Sequence, residues 1–135
     1  MSLSKLGYTK RLEKVVTLEA AEALVREALK SEGFGIITEI DVKKTMKEKL
    51  GIEYKPFKIL GACNPSFANR ALTIDPYIGL LLPCNVIIFQ GNDGGVHISF
   101  AKPEEMFKLV RDDRFAELLQ EVETAIKRAF EAVEK

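Results

Sequence analysis

Apolar positions change their period several times along the chain, and each change predicts an element. Leu6–Val16 has strand composition with imperfect alternation: Tyr8, Leu12 and Val16 share one parity, while Thr9, Arg11 and Glu13 share the other. Thr17 is placed to cap a helix, because its hydroxyl can accept from an otherwise unpaired first-turn amide. Ala21, Leu24, Val25, Ala28 and Leu29 then recur at three and four residues, which predicts a helix with one apolar stripe. Gly33 suits its end, since glycine enters the left-handed region without a side-chain penalty. In Phe34–Asp41 the period returns to two. Phe34, Ile36 and Ile40 fall on one face and Glu39 and Asp41 on the other, predicting a half-buried strand. Asp41 also caps a short helix over Val42–Leu50, ended by Gly51. Its apolar contacts are Met46 and Leu50, and it carries Lys43, Lys44, Lys47 and Lys49.

Pro56 opens a third strand, Phe57–Cys63. Asn64-Pro65 then reads as helix cap and first helical position, where a fixed φ is an advantage and no amide partner is lost. That helix runs through Phe67, Ala68, Ala71 and Leu72 and should stop near Asp75-Pro76, because the residue before proline avoids helical angles. Val86–Phe89 is apolar at both parities, so both faces of this strand require cover. Gly91–Gly95 is a hairpin loop returning into Val96–Phe100, with Val96, Ile98 and Phe100 inward and His97 and Ser99 outward. Pro103 begins a helical segment through Phe107 and Val110. Asp112 and Asp113 offer a fresh cap for the longest helix, whose stripe is Phe115, Leu118, Leu119, Val122, Ile126, Ala129, Phe130 and Val133. The predicted order is β-α-β-α-β-α-β-β-α. It gives an α+β fold in which a largely antiparallel sheet packs on the long C-terminal helix, within a single domain over residues 1–135.

Composition narrows the function classes. At 135 residues, 47% hydrophobic and 30% charged, the chain is an ordinary globule. Twenty basic residues balance twenty acidic ones, so no global field selects nucleic acid or an anionic membrane as partner. The polar start Met1–Lys5 lacks the apolar run of a signal peptide, and the uncharged stretch between Asp75 and Asp93 is broken by Pro76, Gly79 and Pro83. A cytoplasmic location is expected, with Cys63 and Cys84 reduced. Two cysteines cannot form a multi-bridge scaffold or a four-thiolate zinc site, and together with the one histidine, His97, they follow no zinc spacing. Neither a metal nor a cofactor is expected. Gly91–Gly95 lacks the following helix that a phosphate-cradling loop requires.

The most distinctive local chemistry is the pair of dipeptides Cys63-Asn64 and Cys84-Asn85, each beside a proline at an element boundary. A thiol just before a helix N-terminus meets unpaired amides and the positive end of the helix dipole, which favour thiolate. The competing reading is structural: free cysteine packs as a small hydrophobe, and Asn64 is explained by capping. Glu39 and Asp41 share a strand face but read as solvated, with Asp41 a cap. The lysines of the second helix are diluted by Glu48 and Glu53 and read as a solvated face.

Four stretches together resemble the prokaryotic family known as domain of unknown function 302. They are Gly35–Asp41, Lys47–Gly51, Ile59–Pro65 and Leu80–Val86, and the two Cys-Asn segments are the most specific among them. The resemblance implies a TATA-binding-protein-like fold, a curved sheet around a C-terminal helix, and a homodimer. It implies no activity and no catalytic residues. The expectation is a homodimer that binds a small molecule at Cys63, Asn64, Cys84 and Asn85. Two alternatives stand beside it: a thiol-dependent enzyme or redox sensor, and a purely structural or interaction module.

Overall fold

The computed structural model describes residues 2–135, so that of the polar start only Met1 lies outside it. Five strands form one antiparallel sheet: β1 (Gly7–Arg11), β2 (Gly35–Asp41), β3 (Phe57–Cys63), β4 (Cys84–Gln90) and β5 (Val96–Ala101). Their spatial order is β1-β5-β4-β3-β2. Between and after them lie α1 (Leu18–Lys30), α2 (Val42–Leu50), α3 (Pro65–Ile74), the single turn α4 (Pro103–Met106) and α5 (Ala116–Ala132). The fold is α+β.

Period two on the strands meets period 3.6 on the helices along one face of the sheet. Leu60 and Ala62 of β3, Val86 and Ile88 of β4, and Ile98 and Phe100 of β5 are buried there. They pack in a single cluster with Val25 and Leu29 of α1 and Ile126 and Ala129 of α5. Phe130 of α5 meets Phe100 edge-on, with ring centroids 5.5 Å apart. A second, smaller cluster (Ala71, Ile78, Phe115, Leu118) ties α3 and the turn Pro76–Leu81 to α5.

Local capping explains the boundaries. Thr17 Oγ1 accepts from Ala20 N, Asp41 Oδ1 from Lys44 N and Asn64 Oδ1 from Phe67 N. Gly51 ends α2 at φ +67°, which a side chain would strain. At α5, however, Asp112 caps a separate 3-10 turn, Asp113–Phe115, and Phe115 precedes the helix without a side-chain cap.

Two expectations change. The first strand is shorter than Leu6–Val16, leaving Val16 83% exposed. Beyond Leu12, the amides of Glu13, Lys14 and Val15 donate to the Glu134 carboxylate, which replaces the strand partner they would otherwise need. In β2 the register slips between Ile36 and Thr38, and the extra residue Ile37 reverses the parity of everything after it. Ile40 therefore pairs opposite Ile59 rather than joining Phe34 and Ile36 in the core, and is 49% exposed.

The other face of the sheet has a distinct character. Phe57 stacks on Phe89 (5.3 Å) and Phe89 on His97 (5.2 Å), forming a row across β3, β4 and β5. Phe57, Ile59, Ile87 and Phe89 are only half-buried and belong to neither apolar cluster. The cap and glycine stop of α2 are well formed, yet α2 has no fully buried residue.

Candidate functional site

Strands β3 and β4 bring the two cysteines together. Ala62 lies opposite Cys84 in the register, so Cys63 is one residue from that pair, at the point where β3 gives way to α3. Both thiols line one cavity of about 310 Å³, at the lower end of the range for small-molecule pockets. Its walls are Phe67, Ala68, Ala71 and Leu72 of α3, Leu118, Leu119 and Val122 of α5, Leu82 and Pro83 before β4, and Phe107 after α4. Ile37, the bulged residue of β2, also lines it while remaining 62% exposed, which places Ile37 at the rim. Gly61 makes the close approach of these elements possible. A Cβ there would fall 2.1 Å from Thr38 Oγ1 and 2.6 Å from Pro83 Cγ.

Apart from the two thiols, no ionisable side chain lines the cavity. Asn64, its one side-chain amide, makes one hydrogen bond at each end: Oδ1 accepts from Phe67 N at 3.2 Å and Nδ2 donates to Glu32 O at 3.2 Å. Burial pushes the Cys84 thiol up to about 11, with the charges of Cys63 and Glu123 adding to the rise. A raised thiol is a poor nucleophile at neutral pH. At pH 8, Cys84 of the native protein should be alkylated by iodoacetamide about a hundredfold more slowly than a thiol at its ordinary value, and the rate should keep rising toward pH 11. Mass mapping of labelled peptides, with and without urea, measures this. Native labelling as fast as in urea would contradict the burial argument.

Asn85 does not line this cavity. It is exposed, opposite Gly61 in the register, and borders an adjoining hollow of about 200 Å³. His97 sits opposite Phe89, five residues along β4 from Cys84, or about 17 Å at strand spacing. It contacts Asp93 at 3.1 Å and takes no part in the thiol site. Asp93 itself is held down to about 2 by the Gly95 amide, His97 and Arg11. Glu39 pairs with Lys58 (2.6 Å) and Arg26 (3.2 Å). Hydrogen bonds to Glu22 and Glu39 lift Lys58 to about 12, and Asp41 is occupied by capping. Lys47 is bonded to Glu53. Among the described residues, no three His, Cys, Asp or Glu side chains are placed to hold a metal ion, and no helix is long and apolar enough to cross a membrane.

Sequence reasoning had the α3 and α5 stripes but not the space between them. The available signal was small: Ala68 and Ala71 put methyl groups where longer side chains would have closed the gap. Ile37 and Phe107 gave no signal, since one depends on the bulge and the other on the path of the chain after α4.

The family model described as "Domain of unknown function DUF302" matches residues 8–133. The chain belongs to the DUF302 family. A crystal structure of an uncharacterised conserved DUF302 protein from Bacillus stearothermophilus superposes with a TM-score of 0.84, at 27% identity, covering 95% of this chain and 98% of that one. An uncharacterised protein of Aquifex aeolicus (strain VF5) is 23% identical over 108 residues, 80% of this chain and 68% of the relative. The DUF302 match includes every wall of the cavity named above.

Proposed function

We propose that this DUF302 protein is a non-enzymatic, homodimeric, cytoplasmic binder of a small molecule, held in the cavity where Cys63 and Cys84 meet. The observation that carries the reading is a hollow of about 310 Å³ between α3, α5 and the sheet, lined by apolar side chains, Asn64 and the two thiols. Closing such a space with two or three larger side chains would have been simple, and leaving it open forgoes contact energy along its lining. Thiol chemistry fits less well. Cys84 is shifted toward its neutral form, His97 is remote, and no acid or base lines the space to receive a thiol proton. The homodimer rests on a different observation: the half-buried row Phe57, Ile59, Ile87 and Phe89, which no apolar cluster of the same chain covers.

Native mass spectrometry of freshly purified protein, followed by a thermal-shift screen of neutral and amphiphilic compounds, tests the binding role. A true ligand at a hundredfold excess over its Kd should stabilise the fold by about 2.7 kcal/mol, and filling the cavity with Ala71→Leu should abolish that gain. A protein that carries nothing, and that no compound stabilises, would end this reading and leave the structural or interaction module in its place.

A further inference from the structure

Resting on that reading of the cavity, we infer that the ligand enters as a hydrocarbon chain with its polar end left at the mouth, and that Phe107 sets the length of chain admitted. The lining is apolar apart from two thiols and one side-chain amide, and that amide, Asn64, already makes one hydrogen bond within the protein at each end. The lining offers no charge, and its sulfur atoms are weak partners at best. A polar group carried inside would exchange its water for at most the remaining N–H and lone pair of Asn64 and two weak thiol partners, whereas methylenes lose nothing. At the rim, Ile37 and Leu72 line the cavity and are both exposed, so the opening is apolar up to the solvent boundary.

Chain rather than ring follows from what lies beyond. The hollow of about 200 Å³ adjoining the cavity shares with it the walls Leu82, Pro83, Cys84, Pro103 and Phe107. Phe107 is the largest side chain among these shared walls. It rides on the 3-10 turn Phe107–Leu109, outside the sheet, with its ring edge-on to Phe115 at 6.2 Å. The segment carrying it is held in place. Glu123 of α5 accepts from Glu104 N at 2.9 Å and from the Tyr8 hydroxyl, anchoring α4 to the body of the fold. Phe107 is thus a fixed end-wall, and removing its ring would join the two hollows into one longer channel.

A homologous series serves as a ruler. Alkan-1-ols and alkanoates of rising length are titrated into methyl-labelled protein, in wild type, Phe107→Ala and Ala68→Leu. Glucose, alanine and uridine are the polar comparison, and phosphatidylcholine vesicles test whether the chain is drawn from a lipid rather than a free amphiphile. In wild type, each added methylene should tighten binding about fourfold until the chain meets the end-wall, after which affinity levels off. Phe107→Ala should move that break to longer chains and Ala68→Leu to shorter ones. Because the two variants move it in opposite directions, a folding defect in one cannot imitate the result. Co-sedimentation with vesicles would assign the chain to a lipid, and binding of the soluble series without it would assign a free amphiphile. If the polar solutes shift the lining methyls and the alkyl series does not, the hydrocarbon assignment is wrong while the cavity remains a binding site. If alkyl chains bind but neither variant moves the break, Phe107 is not the end-wall. If neither class of compound shifts the lining methyls, both this inference and the binding role fall.

Discussion

Truncating Phe100 to alanine lowers the free energy of unfolding by about 3–5 kcal/mol, the largest loss expected from any single side chain here. Phe100 is fully buried in β5, between Tyr8 of β1 and Val86 of β4 in the register, and its ring meets the Phe130 ring of α5 edge-on. The ring therefore joins three strands to the C-terminal helix. Its removal forfeits the transfer energy of an aromatic side chain and an aromatic pair worth about 0.5–1.5 kcal/mol, and leaves a hole that strands on both sides cannot collapse to fill. Against a total stability of about 5–15 kcal/mol, that loss threatens the folded state at physiological temperature. Urea unfolding measures it, with Leu80→Ala as the control: Leu80 is 85% exposed and should change stability by no more than about 0.5 kcal/mol. A loss of under about 1 kcal/mol for Phe100→Ala would mean that sheet and helix are held together elsewhere.

How much of this was legible beforehand varied with the range of the interaction. Caps, stops and alternation are local, and Thr17, Asp41, Asn64 and Gly51 act in the structure as their sequence positions predict. The inward set Val96, Ile98 and Phe100 is likewise buried. The bulge at Ile37 was not readable, because a one-residue slip costs nothing in local pattern and shows only when β3 is laid beside β2. The early end of β1 depends on Glu134, more than a hundred residues away. The candidate site divides in the same way. That Cys63 and Cys84 line one cavity depends on β3 pairing with β4, which was open in the sequence. That Asn64 caps α3 follows from its local position, and the placement of Asn85 beside the smaller hollow depends on the side of the sheet it faces.

The second large effect concerns the uncovered sheet face. Replacing Ile87 with aspartate should convert the proposed dimer to a monomer at micromolar concentration while leaving the circular dichroism spectrum unchanged. Ile87 lies opposite Ile59 on β3 and Ser99 on β5, next to the Phe57–Phe89–His97 row, so it sits near the middle of the face. Five strands about 4.8 Å apart and six residues at about 3.4 Å make a face of roughly 24 by 20 Å. Buried in both copies, that footprint reaches only the lower limit of about 1,000 Å² for a stable interface. Additional contact is required, and α2 has no buried side chain of its own and ends on Leu50, 67% exposed. A helix of nine residues is marginal without tertiary support, so the same contact would stabilise α2. Two-fold symmetry places each patch against its own copy, and a single substitution therefore sets two carboxylates into one desolvated surface. Like charges so placed cost several kcal/mol, enough to dissociate a dimer of ordinary affinity. Val16→Asp, on a residue 83% exposed in the loop after β1, should leave the dimer intact. Sedimentation velocity on the three proteins decides the matter. A wild type that sediments as one chain, with Ile87 and Phe89 open to water, would remove the dimer from the account.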